Sequence, residues 1–256
     1  MMRCLVVLVM LGVGQFVSPA PASADGGLNF SWSPDGNCVS PLIANQTFAC
    51  NTNGASFIAV ASVTPSPDLP QFYELEAVIG CQSEGPLPAW WQSFNSGSCR
   101  ETSATLRTTS VAAGGCQSPW SEAPSLGGIG AWQTALFPPP VGRVPPANRL
   151  VIRLAYQMAT ARPHLRAAKE YNAFQLVLDT NHTVDDPEHG VVACAGCATG
   201  VTLMLDLIVL TADEFNQEIT SPKTSNCITW QSSTAECWHA VPVRNTTWGA
   251  IKAFYR

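Results

Sequence analysis

An all-β sandwich, poor in helix and stapled by disulfides in its loops, is the fold this sequence predicts, with the jelly roll as one candidate topology. Three observations predict it. Apolar and polar residues alternate in several runs of strand length. Gly, Pro, Ser and Thr are abundant while only 12% of residues are charged, a balance that suits short strands and tight turns better than amphipathic helices. Ten cysteines accompany what reads as an export signal, and exported chains use cysteine mainly for bridges.

The signal comes first. Arg3 precedes an apolar run from Cys4 to Val13, and Pro21-Ala22-Ser23-Ala24 closes on the small-x-small pattern that signal peptidases accept. Residues 1–24 are therefore expected to be a cleaved signal peptide. The apolar run is shorter than the roughly 20 residues of a spanning helix, and Cys4 lies inside it rather than at its end, unlike a lipoprotein cysteine. No second long apolar stretch follows, so the mature form is not expected to span a membrane, and its expected address is secreted or on the exterior of the cell envelope.

Residues 25–256 are expected to form a single β-sandwich domain. Leu150, Ile152, Leu154, Tyr156 and Met158 share one strand face, opposite Arg153 and Gln157. Tyr73, Leu75, Ala77 and Ile79 alternate with Glu74, Glu76 and Val78; Phe174, Leu176 and Leu178 repeat the pattern, as do Leu203, Leu205, Leu207 and Val209, with Asp206 opposed. Shorter candidates are residues 57–63, 104–111, 131–137, 227–231 and 250–255. A helical turn or two is expected over 212–218 with Thr211 as cap; residues 165–171 are the other helix candidate, read in preference as a hairpin loop between two long strands. The Pro-rich stretch 138–146 reads as a crossover between sheets, because a domain boundary there would leave two halves near the lower end of domain size.

Cleavage removes Arg3 and no acid, leaving 12 basic against 18 acidic residues, a net charge of −6. With no basic stripe, nucleic acid is disfavoured as a partner. Cleavage also removes Cys4, leaving nine cysteines. Proximity in sequence suggests Cys38–Cys50, Cys99–Cys116 and Cys227–Cys237. Cys194-Ala195-Gly196-Cys197 lacks the following helix that would activate a redox pair, and lacks the second tight ligand pair usual with zinc, for which His182 or His189 would have to serve. These two are read as structural, bonded to each other or elsewhere. An odd thiol remains: Cys81, within a strand, is the candidate for a buried free cysteine, and an intermolecular disulfide through the odd cysteine is the alternative.

Two groups are candidate ligand sites. Trp90 and Trp91 follow Pro86-Leu87-Pro88-Ala89, and in or beside a loop their rings would stack on sugars; Trp32, Trp230 and Trp248 read as core. Asp179, Asn181, Asp185 and Asp186 space oxygen ligands as calcium loops do. However, Val184 and Gly190 stand where an EF-hand requires Gly and Glu. Apart from that calcium candidate no cofactor is expected. Gly-x-Ser-x-Gly and His-Glu-x-x-His are absent, Gly127-Gly128-Ile129-Gly130 lacks a phosphate-loop context, and Glu74 and Glu76 read as solvated rather than as paired catalytic acids. Asn29, Asn45, Asn181 and Asn245 open glycosylation patterns.

Asn37-Cys38 through Cys50-Asn51-Thr52-Asn53, Pro88-Ala89-Trp90-Trp91-Gln92 with Cys99-Arg100, and the ending Trp248-Gly249 to Tyr255-Arg256 resemble a group of uncharacterised, β-rich secreted bacterial proteins. The resemblance implies secretion and a bacterial source and transfers no catalytic residue. The functional expectation is a secreted, non-enzymatic sandwich that binds an extracellular ligand, carbohydrate foremost. A secreted hydrolase whose site assembles only in the fold, and a cell-surface assembly protein, are the alternatives.

Overall fold

The computed structural model describes residues 26–38, 40–93, 97–108, 115–120, 125–126, 147–158, 162–231 and 237. The signal segment, strand candidates 131–137 and 250–255, the glycine turn 127–130, the Pro-rich stretch, Trp248 and Asn245 lie outside them.

Eleven strands are described: β1 (Gly27–Trp32), β2 (Asn45–Gln46), β3 (Ser56–Thr64), β4 (Phe72–Gln82), β5 (Ala104–Arg107), β6 (Ser125–Leu126), β7 (Arg149–Met158), β8 (Tyr171–Asp179), β9 (Val201–Ala212), β10 (Asn216–Ile219) and β11 (Cys227–Trp230). They form two sheets, one in the order β1-β3-β8-β5 and one in the order β2-β11-β9-β4-β7-β6, with β10 also on β9. The chain is an all-β sandwich. Its only helical element among the described residues is a 3-10 turn at Ala89–Trp91.

Alternation puts the core between the sheets. Leu150, Ile152, Leu154, Tyr156 and Met158 of β7 are buried against Leu75, Ala77, Ile79 and Cys81 of β4 and Phe174, Leu176 and Leu178 of β8. A register shift between Phe72 and Glu74 replaces the expected Tyr73 with Phe72 on the core face. A second shift, between Val78 and Ile79, pairs them with Leu207 and Leu205 and makes Asp206 the extra residue of a bulge. The bulge advances the phase of β9. Leu203, Leu205, Ile208 and Leu210 enter the core, and the expected Leu207 and Val209 face outward.

Two loop expectations are corrected. Residues 212–218 are not helical: β9 turns at Asp213–Phe215 into the antiparallel β10, Ala212 N–H donating to Phe215 O at 3.0 Å. Residues 165–171 are not a hairpin loop, because β7 and β8 lie in different sheets. That connection crosses the sandwich, pinned where Leu69 and Leu165 exchange backbone bonds of 2.8 and 2.9 Å.

One side of the sandwich is closed by β1. Its inner edge pairs with β3, while on its other edge Leu28, Phe30 and Trp32 N–H groups donate to Ser221 O (3.1 Å), Ser225 O (2.8 Å) and Ile43 O (2.9 Å).

The disulfides are Cys38–Cys116, Cys50–Cys197, Cys99–Cys194 and Cys227–Cys237. Only the last matches the pairing expected from proximity. The others join loops that the topology, not the sequence, brings together, so Cys38–Cys50 and Cys99–Cys116 are corrected. Cys81 is free and 1% exposed, its thiol pushed up by burial. At that depth it is out of reach of a second molecule, against the intermolecular bond entertained above. In the chain beginning at Asp25, a thiol reagent is therefore expected to find no reactive group in the native protein and one after denaturation. Labelling of native protein at the rate of a free thiol would refute this.

Candidate functional site

Trp90, Trp91 and the Asp179–Asp186 loop meet at one end of the sandwich, around a residue the sequence reading missed. Arg100 is 0% exposed. Its Nη1 donates to Trp90 O at 2.9 Å, its Nε to Asn181 O at 3.0 Å and its Nη2 to Asp179 O, while its Cζ lies 3.5 Å from the centre of the Trp90 ring. Burial pulls the guanidinium down to about 10, the nearby Asp179 charge resisting. Three main-chain dipoles and an aromatic face thus hold a buried cation. The one sequence signal was position: Arg100 follows a bridged cysteine and is drawn inward with it.

The two indoles are structural. Trp90 is 0% and Trp91 5% exposed, and both pack on Trp230 at 4.9 and 5.6 Å between ring centres. Trp90 Nε1 donates to Thr183 Oγ1 at 2.9 Å. Neither ring offers an open face to a sugar, so the stacking role is corrected. Their short helical turn points both inward, where a strand would have turned one out.

The loop residues proposed for calcium are spread among other tasks. Asp179 accepts from Ser56 Oγ; Asp185 accepts from Ala193 N at 2.8 Å; Asp186 pairs with His189 Nδ1 at 2.8 Å; Asn181 contributes its carbonyl to Arg100. Among the described residues no group of three acidic, His or Cys side chains is arranged around a metal position. Cys194 and Cys197 bridge to different loops, and Gly196 between them has φ +113° with Pro88 where a side chain would be, a Cβ falling 2.2 Å from the proline's. The Cys-x-x-Cys segment is therefore a stitched turn. Of the described histidines, His182 Nδ1 lies 3.1 Å from Val192 O, His164 contacts Asp68 at 3.2 Å and His189 pairs with Asp186. Glu74 and Glu76 are half-buried on the outer face of β4, and Glu76 acts on Arg153 across the β4–β7 pair.

A concavity among the described residues lies elsewhere. A groove of about 570 Å³ is lined by Gly26, Ser66 and the run from Gln217 to Lys223. Asn29 Oδ1 accepts from Thr224 N (2.8 Å) and Ser225 N (3.3 Å), and Lys223 N donates to Leu28 O at 2.9 Å, tying the run to β1. The approach is so close that a Cβ on Gly27 would lie 2.9 Å from Lys223 N. Gln217 Nε2 donates to Ser66 O, and Lys223 Nζ to Thr64 Oγ1 at 3.1 Å. Amide, carboxylate, hydroxyl and ammonium groups thus border one cleft: Gln217, Glu218, Thr220, Ser221 and Lys223.

No helix among the described residues is long and apolar enough to cross a membrane. No family model and no curated protein sequence matches the chain. Among solved structures it is similar to a cohesin module from a Clostridium perfringens family 33 glycoside hydrolase, at 9% identity and a TM-score of 0.30, over 77% of this chain and 98% of that one. It is also similar to a putative membrane-anchored protein from Corynebacterium diphtheriae, at 9% identity and a TM-score of 0.29, over 90% of this chain and 40% of that one. Likenesses this remote carry neither fold nor function to this chain.

Proposed function

We propose that this is a secreted, non-enzymatic β-sandwich that binds a polar, hydroxyl-rich extracellular ligand, a glycan being the leading class, in the groove beside β1 and β10. The observation that carries the reading is the lining of that groove: Ser66, Gln217, Glu218, Thr220, Ser221 and Lys223. Hydroxyls need both donors and acceptors, and this set supplies both within one cleft. The four disulfides support an oxidising address, where bridges persist. They also suit a rigid frame for a binding cleft.

A glycan array followed by calorimetry tests the proposal. Glu218→Ala and Lys223→Met are each expected to weaken binding by about tenfold, the value of one good charged hydrogen bond. Trp90→Ala is not a usable probe, since it would open the core. If no polyhydroxylated ligand binds, or if affinity ignores both groove changes, the groove is not the site.

A further inference from the structure

Asp186–Pro187 is the one Asp-Pro bond in the sequence, and the fold gathers two amide donors, a carboxylate and an imidazole around it. The chain doubles back there, Asp186 and Val191 forming an antiparallel bridge across a turn in which Gly190 takes φ +69°. The Asp186 carbonyl oxygen accepts from two main-chain N–H groups, Val191 at 2.9 Å and His189 at 3.2 Å. The His189 N–H is shared: it also donates to Asp186 Oδ1 at 3.3 Å, which holds the carboxylate beside its own carbonyl. Asp186 Oδ2 lies 2.8 Å from His189 Nδ1. The two side chains are 36% and 75% exposed, so water and protons reach both. An aspartate before proline is open to attack by its own side chain, because the nucleophile is built in and the leaving nitrogen belongs to a tertiary amide.

We propose that Asp186–Pro187 is a self-cleavage site, with Asp186 as nucleophile and His189 as acid. Asp186 Oδ1 attacks the Asp186 carbonyl carbon and closes a five-membered cyclic anhydride. The carbonyl oxygen, negative in the tetrahedral intermediate, faces the N–H groups of Val191 and His189. The His189 imidazolium gives a proton to the Pro187 nitrogen as the C–N bond breaks. Water then opens the anhydride to two carboxylates on Asp186, and the two protons released go to the Pro187 amine and back to His189. Each chain is cut once, at the cost of one water, independently of the groove. The cut ends stay together: β8 precedes the bond and β9 follows it, and Cys50–Cys197 and Cys99–Cys194 each join one fragment to the other. The loop's other titratable side chains are Asp179, His182, Asp185 and Glu188, of which Asp179 and Asp185 accept from Ser56 Oγ and Ala193 N and His182 meets Val192 O. The segments bonded to the loop, 50–55 and 88–93, bring no charge, and Arg100 is taken up by carbonyls.

The test incubates the disulfide-intact protein in mild acid, about pH 5, where histidine is a cation, and at about pH 8, where it is not, and reads mass before and after reduction. In acid the unreduced mass is expected to rise by one water. Reduction should then release two fragments, one ending at Asp186 and one beginning at Pro187, with slower cutting at the higher pH. The rate should not depend on protein concentration. It should exceed that of the reduced chain in guanidinium at the same pH by about tenfold or more, a modest share of what oriented donors and a placed acid supply. Asp186→Ala should abolish cleavage, and His189→Gln, at an exposed position, should slow it by about tenfold or more. If Asp186→Ala does not fold, Pro187→Ala takes its place with the same expectation, since it keeps every hydrogen bond named above. No cleavage, or cleavage as fast in the unfolded chain, overturns the proposal. A folded His189→Gln variant that matches the parent overturns it too, as does a rate that climbs with protein concentration, because another molecule would then be cutting.

Discussion

Arg100→Met is expected to cost about 4 kcal/mol of folding stability, read as a lowered denaturant midpoint at unchanged slope. Methionine fills part of the volume but donates nothing. The carbonyl of Trp90 would lose its partner in the interior, and those of Asn181 and Asp179 theirs in part-buried positions, and each orphaned buried acceptor costs about 1–3 kcal/mol. Arg100→Lys should recover about half of the loss, because an ammonium can donate to those oxygens but cannot lie flat on the Trp90 ring. Arg107→Met, on an exposed position of β5, should change stability by less than about 0.5 kcal/mol. If Arg100→Met proves as mild as Arg107→Met, the guanidinium is not what holds the loops together.

The second large effect concerns the two bridges beside it. Cys50–Cys197 and Cys99–Cys194 are nested, their ends three residues apart at one side. With one intact, the other closes an effective loop of about 50 residues, worth about 4 kcal/mol by restriction of the unfolded chain. Removing both releases loops of 147 and 95 residues, and the combined loss of about 9 kcal/mol rivals the whole stability of an ordinary domain. Each alanine pair alone should therefore fold with a lowered midpoint, while the quadruple variant should be unfolded at 25 °C. The Cys227–Cys237 bridge closes ten residues and should contribute only about 3 kcal/mol. A quadruple variant with near-native circular dichroism and a cooperative melt would show that the core stands without these staples.

The regular parts of the fold were legible because a strand with one buried face writes its period into the chain. β7 shows this over its full length, and Cys81 could be placed in the core from the same alternation. Legibility failed at irregularities. One inserted residue at Asp206 reverses which side of β9 faces inward, and nothing local in Leu205-Asp206-Leu207 announces it. Disulfide partners were misread for a related reason: Cys50 and Cys197 are distant in sequence and adjacent only once the loops at one end of the sandwich converge. The Asp179–Asp186 loop was read as a place for a cation. A cation is there, but it is Arg100, and the oxygens that hold it belong to the main chain, where composition carries no signal.

The closing role of β1 also sets an order of events. Its partner on one side, β3, lies about 30 residues downstream, whereas Ser221 and Ser225 on the other lie nearly 200 away. At a synthesis rate of about 5–20 residues per second, β1 waits roughly 10–40 s with the Leu28 and Phe30 positions of that edge unpaired before that side of the sandwich can shut. An edge left open for that long can recruit strands of other chains. Folding of this protein should therefore be slow, dominated by non-local pairing, and most prone to aggregation in the interval before the last described strands emerge.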